Sequence, residues 1–271
     1  MRANRAQRRP PSPSATLTGN EAQKGRRAVL IALMSDIHAN RQAFEACLAH
    51  ARGQGATRYV FVGDYVGYGG DPQAVVDRLC ALAEDGALAV AGNHDLAGAE
   101  SGMHDAAADA ARWSHAQLTP AAQSFLAQLP LTCEDEDRLY VHGDASAPTK
   151  FRYVTDSLTA LRSLEGCAAR IVVSGHVHVP ALYAQSGPTA LPFTPQTGVR
   201  TPLLRQRRWQ VTLGAVGQPR DRDPAAAYAL YRPETAEIMF CRVPYDIEAA
   251  AAAIRKAGLS EGLAARLFVG R

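Results

Sequence analysis

Five times along this 271-residue chain, a short apolar run stops directly at a cluster of Asp, Asn, His and Gly. Residues 28–34 lead into Ser35-Asp36-Ile37-His38, and residues 58–62 into Gly63-Asp64. Residues 87–91 lead into Gly92-Asn93-His94-Asp95, residues 139–142 into His142-Gly143, and residues 170–174 into Gly175-His176-Val177-His178. Apolar runs of this length are the mark of buried strands. Polar loops just beyond the carboxyl ends of strands are where ligand sites gather in α/β sheets. A fold that brings the five loops together is therefore strongly constrained.

The segments between these runs supply helices. Ala43, Phe44, Cys47, Leu48 and Ala51 have helical spacing within residues 40–52. Asp71-Pro72 reads as an N-cap and N1 proline opening a helix to about residue 83. Helices are also expected at 104–117, from Thr119-Pro120 to 128, at 156–164, 246–256 and 260–268. The acidic turn 134–137 sits between runs 131–133 and 139–142 as a hairpin. After Pro180 short strands near 209–213, 227–231 and 237–243 suggest an antiparallel half. The expected class is α/β, with two packed sheets covered by helices.

The net charge of +3 conceals an uneven distribution. Residues 1–27 hold seven bases (Arg2, Arg5, Arg8, Arg9, Lys24, Arg26, Arg27) against the single acid Glu21, so residues 28–271 carry a slight excess of acid. We read 1–27 as a disordered basic tail and 28–271 as a single domain. With 7% aromatic residues the body offers no evident stacking platform, so nucleic acid is not a favoured partner. No run reaches the roughly 20 apolar residues that span a bilayer. Five scattered cysteines without a C-x-x-C spacing give no disulfide framework or zinc knuckle, which suits a reducing cytoplasm. Cys47 and Cys80 fall at apolar helical positions and read as core.

Asp36, Asp64, Asn93, His38, His142, His176 and His178 offer oxygen and nitrogen donors without sulfur. That set suits Mn, Fe, Zn, Co or Ni better than a thiolate site would. Seven donors exceed the needs of one ion but fit two ions sharing a carboxylate, an arrangement that holds a phosphate and activates a water. The glycine-rich loop 63–70 lacks the Lys-Ser/Thr ending of a P-loop and is not read as a triphosphate cradle.

The blocks D-x-H, G-D, G-N-H-D, H and G-H-x-H, in this order over residues 30–180, resemble those of the calcineurin-like metallophosphoesterases. Asp36-Ile37-His38-Ala39-Asn40, Gly63–Gly69 and the stretch Val216-Gly217-Gln218-Pro219-Arg220-Asp221 are similar to the bacterial subgroup around the YfcE phosphodiesterase. The resemblance implies a four-layer αββα sandwich of two mixed β-sheets. It implies two divalent ions, most readily Mn, and hydrolysis of phosphomono- or phosphodiester bonds by a metal-bridging hydroxide. Asp36, His38 and His178 would hold the first ion, Asn93, His142 and His176 the second, and Asp64 would bridge them. His94 would contact the phosphate and protonate the leaving oxygen, with Asp95 orienting it. Thr212-Leu213-Gly214-Ala215 stands where relatives read Asn-Pro-Gly-Ser, a departure that costs no ligand.

Other residues divide between functional and plain roles. Tyr65 and Tyr68 either line the substrate pocket or simply pack. Arg220 either clamps a substrate phosphate or pairs with Asp221 or Asp223. His50, His104 and His115 lie outside every block and read as ordinary surface or core residues. Two alternatives to the phosphoesterase remain open: a non-catalytic protein-binding scaffold on the same fold, resembling a retromer subunit, and a nuclease recruited through the basic tail. The expected partner is a small phosphorylated substrate, with no membrane and with homo-oligomerisation left open.

Overall fold

The computed structural model describes residues 28–96 and 105–271. The basic tail, and His104 with the glycines before it, lie outside these residues. The first half alternates strand and helix: β1 (Ile31–Met34), α1 (Arg41–Gly53), β2 (Arg58–Val62), α2 (Pro72–Glu84) and β3 (Leu88–Val90). Then come α3 (Asp105–Gln117), α4 (Pro120–Gln128), the hairpin β4 (Thr132–Asp135) and β5 (Arg138–Val141), α5 (Ser157–Glu165) and β6 (Ile171–Ser174). The remainder is β7 (Ala181–Ser186), β8 (Thr189–Phe193), β9 (Arg200–Pro202), β10 (Trp209–Thr212), β11 (Ala226–Arg232), β12 (Glu237–Val243), α6 (Ile247–Lys256) and α7 (Glu261–Val269).

These strands form two six-stranded mixed sheets, ordered β3-β2-β1-β11-β12-β9 and β4-β5-β6-β10-β7-β8. Strand alternation explains the layers. In β1, Ile31 and Leu33 point between the sheets and join Val60, Val173, Val211 and Phe240 in one core. Ala32 and Met34 face the other way, under Phe44, Leu48, Val75 and Leu79 of α1 and α2. Helix α5 covers the outer face of the second sheet through Ala160 and Leu164. The result is the four-layer αββα sandwich. Among the described residues, no helix is long and apolar enough to cross a membrane.

Two expectations need correction. The strand at Trp209–Thr212 is not purely antiparallel: it runs parallel to β6 and antiparallel to β7. Its parallel pairing sends the Val216–Arg220 stretch to the same sheet end as the histidine loops. The hairpin β7–β8 and the short edge strand β9 did not stand out in the sequence, because their alternation is broken by Pro192, Gly187 and Pro202.

The parallel registers place the carboxyl ends of β1, β2 and β3 together, and likewise those of β5, β6 and β10. Backbone bonds tie neighbouring loops within each sheet, Asp36 N–H to Gly63 O and Gly175 N–H to His142 O, both at 3.0 Å, and Gly217 N–H to Asp36 O at 2.8 Å joins the two sheets.

Candidate metal centre

The centre is built from backbone that has been forced out of its preferred regions. Asp36, His38, Asp64, His176 and His178 all have positive φ, between 49° and 69°. Non-glycine residues in such conformations cost about 1–3 kcal/mol each and gather at functional sites. Each such turn directly follows a strand, so it aims its side chain over the sheet end and not along it. Gly63, at φ +82°, is needed for two reasons: the turn itself, and a Cβ there would stand 2.6 Å from His142 Nδ1.

The imidazoles are oriented from behind. His38 Nδ1 lies 3.1 Å from Val66 O, His142 Nδ1 2.8 Å from Val62 O, and His178 Nδ1 2.6 Å from Gln218 O. A carbonyl only accepts, so each Nδ1 carries a proton and each Nε2 is the ring nitrogen left to face the carboxylates and, once deprotonated, to bind a metal. This is the outer support expected of metal-binding histidines. Nε2 atoms of His38 and His178 are 3.1 Å apart, and His178 Nε2 is 3.3 Å from Asp36 Oδ1. Asp64 Oδ2 is 3.7 Å from His38 Nε2 and 3.0 Å from His142 Nε2, so one carboxylate faces both groups.

Two ligand clusters result: Asp36, His38, Asp64 and His178, and Asp64, His142 and His176, all buried. Asn93 Oδ1 is buried without a hydrogen-bond partner, and so is His142 Nε2, whose approach to Asp64 is short but misaligned. Lone pairs facing each other at about 3 Å, beside unpartnered buried oxygen and nitrogen, are a poor arrangement unless cations sit among them. The donor set fits divalent ions.

Residues 29–236 match the profile of the Calcineurin-like phosphoesterase superfamily domain. The chain belongs to that superfamily. It is 30% identical over 250 residues to an uncharacterized protein of Methanocaldococcus jannaschii, covering 89% of this chain and 98% of that protein. A metallophosphoesterase from Sphaerobacter thermophilus has a crystal structure similar to this one, with 33% identity, a TM-score of 0.80, and coverage of 90% of this chain and all (100%) of the other. A hypothetical protein from Pyrococcus horikoshii shares the fold at 20% identity and a TM-score of 0.71, over 90% of this chain and 99% of that one.

In this calcineurin-like site, the charges of the metal-free chain balance internally. Burial works to raise Asp36, but His178 and His142 outweigh it and hold the carboxyl well below its usual range. Asp64 behaves alike, with His142, His94 and His38 overcoming the cost of burial. For His142 burial opposes the charged form, yet Asp64 and Asp36 push the imidazole up to about 10. His176 goes the other way, down to about 3, through burial and the charge of His142. Burial also lowers His38 and His94. Metal binding must therefore displace the His142 proton.

His94 stands beside the ligands. Its ring meets His38 edge-on at 5.0 Å and tilts against Tyr68 at 4.7 Å, and its buried Nδ1 has no partner. Its backbone N–H donates to Asp64 Oδ1 at 2.9 Å, which joins the Asn93-His94 loop to the shared carboxylate. Tyr68 lies 4.6 Å from the His38 ring, and the Arg220 guanidinium sits 5.5 Å over the Tyr68 ring. Arg220 also donates to Gln218 Oε1 at 3.1 Å. Asp221 pairs with Arg242 and leaves Arg220 without a carboxylate partner among the described residues.

The geometry departs from one expected role and decides between two open ones. Asp95 does not hold the His94 imidazole. Its Oδ1 accepts from Tyr65 N–H at 2.7 Å and Val66 N–H at 3.3 Å, and its Oδ2 from Asp64 N–H and Gly92 N–H, both at 2.8 Å. Asp95 is a clamp on the metal-bearing loops. Burial and the Asp64 charge push its carboxyl up to about 7 in the metal-free chain, against the pull of those donors. Tyr65 is fully buried, its hydroxyl donating to Val90 O at 2.6 Å, with Phe61 O 3.0 Å away, and accepting from Gly63 N–H at 3.2 Å. It braces the loop from below and does not line a pocket.

Three contributors escaped sequence reasoning. His115 bonds His94 O at 3.0 Å through Nε2 and supports that loop. Ser114 Oγ accepts from Gly67 N–H at 3.1 Å. Tyr153, half exposed, stacks on His176 with ring centroids 4.1 Å apart and planes 7° from parallel. No motif marks these positions. Their only signal is helical adjacency for the first two, and none exists for Tyr153.

Proposed function

We propose that the chain is a dinuclear phosphoesterase, with Asp36, His38 and His178 holding one divalent ion, Asn93, His142 and His176 the other, and Asp64 shared. The observation that carries this reading is the set of Nδ1–H donors committed to carbonyls, which turns three Nε2 atoms towards two buried carboxylates. Bound divalent ions would supply positive charge for phosphoryl oxygens and make water acidic enough to attack. The chain's own residues do the rest. Asp64 and Asp36 would supply the carboxylate oxygens that help hold the ions beside the histidine Nε2 atoms. With Nδ1 buried against Gly67, the Nε2 edge of His94 would be the one to offer a proton to the leaving oxygen. Arg220 and Tyr68 bound the mouth, where a guanidinium would orient a phosphate and exclude disordered water. A phosphomono- or phosphodiester of small size is the proposed substrate class, and Mn the proposed metal.

The complete set of donors is what disfavours the protein-binding scaffold. The test combines metal analysis of the purified chain with hydrolysis of bis-p-nitrophenyl phosphate and p-nitrophenyl phosphate under added Mn. Asp64→Ala should lose metal and turnover together. Normal turnover by a metal-free Asp64→Ala protein would overturn the proposal.

A further inference from the structure

An arginine-lined groove opens beside the mouth of the metal centre. It has a volume of about 610 Å³ and is lined by Arg220, Gly262, Ala265, Arg266, Val269 and Arg271. The small residues Gly262 and Ala265 of α7 leave its floor low. Gly270, in the left-handed region at φ +60°, turns the chain so that Arg271 N–H reaches Arg266 O at 3.3 Å. Arg222 N–H holds the same turn through Gly270 O at 2.9 Å. The arginines are thus gathered by backbone geometry and not by flexible reach alone.

The acids nearby are already engaged. Asp221 and Asp223 both pair with Arg242, and Glu261 pairs with Arg255 at 2.7 Å. Among the described residues Arg266 and Arg271 have no ion-pair partner, and no acidic side chain lines the groove. Three arginines lining one open volume make it a place that favours an anion. Their planar, forked donors match a phosphate better than a single carboxylate. Arg220 connects the groove to the reaction site: its backbone N–H donates to His178 O at 3.3 Å, and its guanidinium lies on Tyr68, which touches His38 and His94.

We propose that this groove is a second anion subsite, and that the substrate is a phosphoester carrying another, terminal phosphate beyond the scissile one. The proposal rests on the phosphoesterase reading above. Two chromogenic substrates separate it from that reading: thymidine 5′-(p-nitrophenyl phosphate) and the same ester bearing a 3′-phosphate, each assayed with the Mn-loaded full chain. The added phosphate should lower KM about fivefold or more. An Arg266→Ala/Arg271→Ala double variant, with its melting temperature checked, should bring the ratio of the two KM values close to one. Equal KM values in the parent chain, or a preference that survives in the double variant, would overturn the subsite.

If neither ester is hydrolysed, the hydrolase reading fails and the groove is judged by binding alone. The phosphorus resonance of inorganic pyrophosphate should then broaden with the chelator-treated full chain and sharpen again with the double variant. An unbroadened resonance with the parent chain would overturn the subsite independently of turnover.

Discussion

Replacing Asp95 by Asn separates a clamp on the loops from an orienting partner of His94. The carboxylate receives four backbone N–H donors, two on each oxygen, from Asp64, Tyr65, Val66 and Gly92. An amide keeps one oxygen and turns an NH2 group against the other two donors. Stranding a buried donor costs about 1–3 kcal/mol. Two such donors, partly relieved by loop movement, give about 3 kcal/mol. For a domain of this size each kcal/mol lowers Tm by about 2–4 °C, so a fall of about 6–12 °C is expected. The measurement is thermal unfolding with chelator at pH 8, above the value of about 7 to which burial and Asp64 push the Asp95 carboxyl. Affinity for Mn should fall about 10- to 100-fold in the same variant, as for other groups that orient ligands from behind. An Asp95→Asn protein with unchanged Tm and metal affinity but crippled turnover would refute the clamp and restore the orienting role.

Other expectations are simpler. His94→Ala should keep its metal while turnover falls about 10²- to 10⁴-fold, and undiminished turnover would remove His94 from the chemistry. Tyr65→Phe should lower stability by about 1–2 kcal/mol through the lost bonds to Val90 O and from Gly63 N–H, with KM unaltered; a raised KM at unchanged Tm would return Tyr65 to the substrate pocket. The chelated chain should become less stable as pH falls from about 6.5 to about 3. His176 is held down to about 3 by burial and by the charge of His142, so over that window the unfolded chain takes up the proton that the folded one refuses. His176→Ala should flatten this part of a urea-unfolding profile measured against pH, and an unchanged slope would contradict the assignment.

The six Asp and His side chains that cluster were legible because each follows its strand within a few residues, where local sequence and tertiary placement coincide. Asp95 was read into the wrong role, and Tyr65 was left between two, for one reason. Their partners are backbone groups, which no side-chain pattern announces. Tyr153 follows a single 3-10 turn at Pro148–Lys150 and reaches His176 through a loop without periodicity. The antiparallel edge β7–β8–β9 was obscured by proline and glycine, whereas the pairing of β10 with β6 depends on topology and not on composition. Even the acidic turn has a partner that spacing does not show: Asp135, Glu136 and Asp137 surround the buried Arg138 guanidinium.

The Val62 carbonyl receives His142 Nδ1 from the opposite sheet and Ser35 Oγ from the neighbouring loop, at 2.8 Å each. Donors from residue 36 to residue 178 thus meet where the two sheets come closest. Ions held there would act as a removable cross-link between halves of the molecule, binding the native state and not the unfolded one. The rate at which the sheets part would then depend on ion release. The free metal concentration would govern the lifetime of the folded chain as well as its activity.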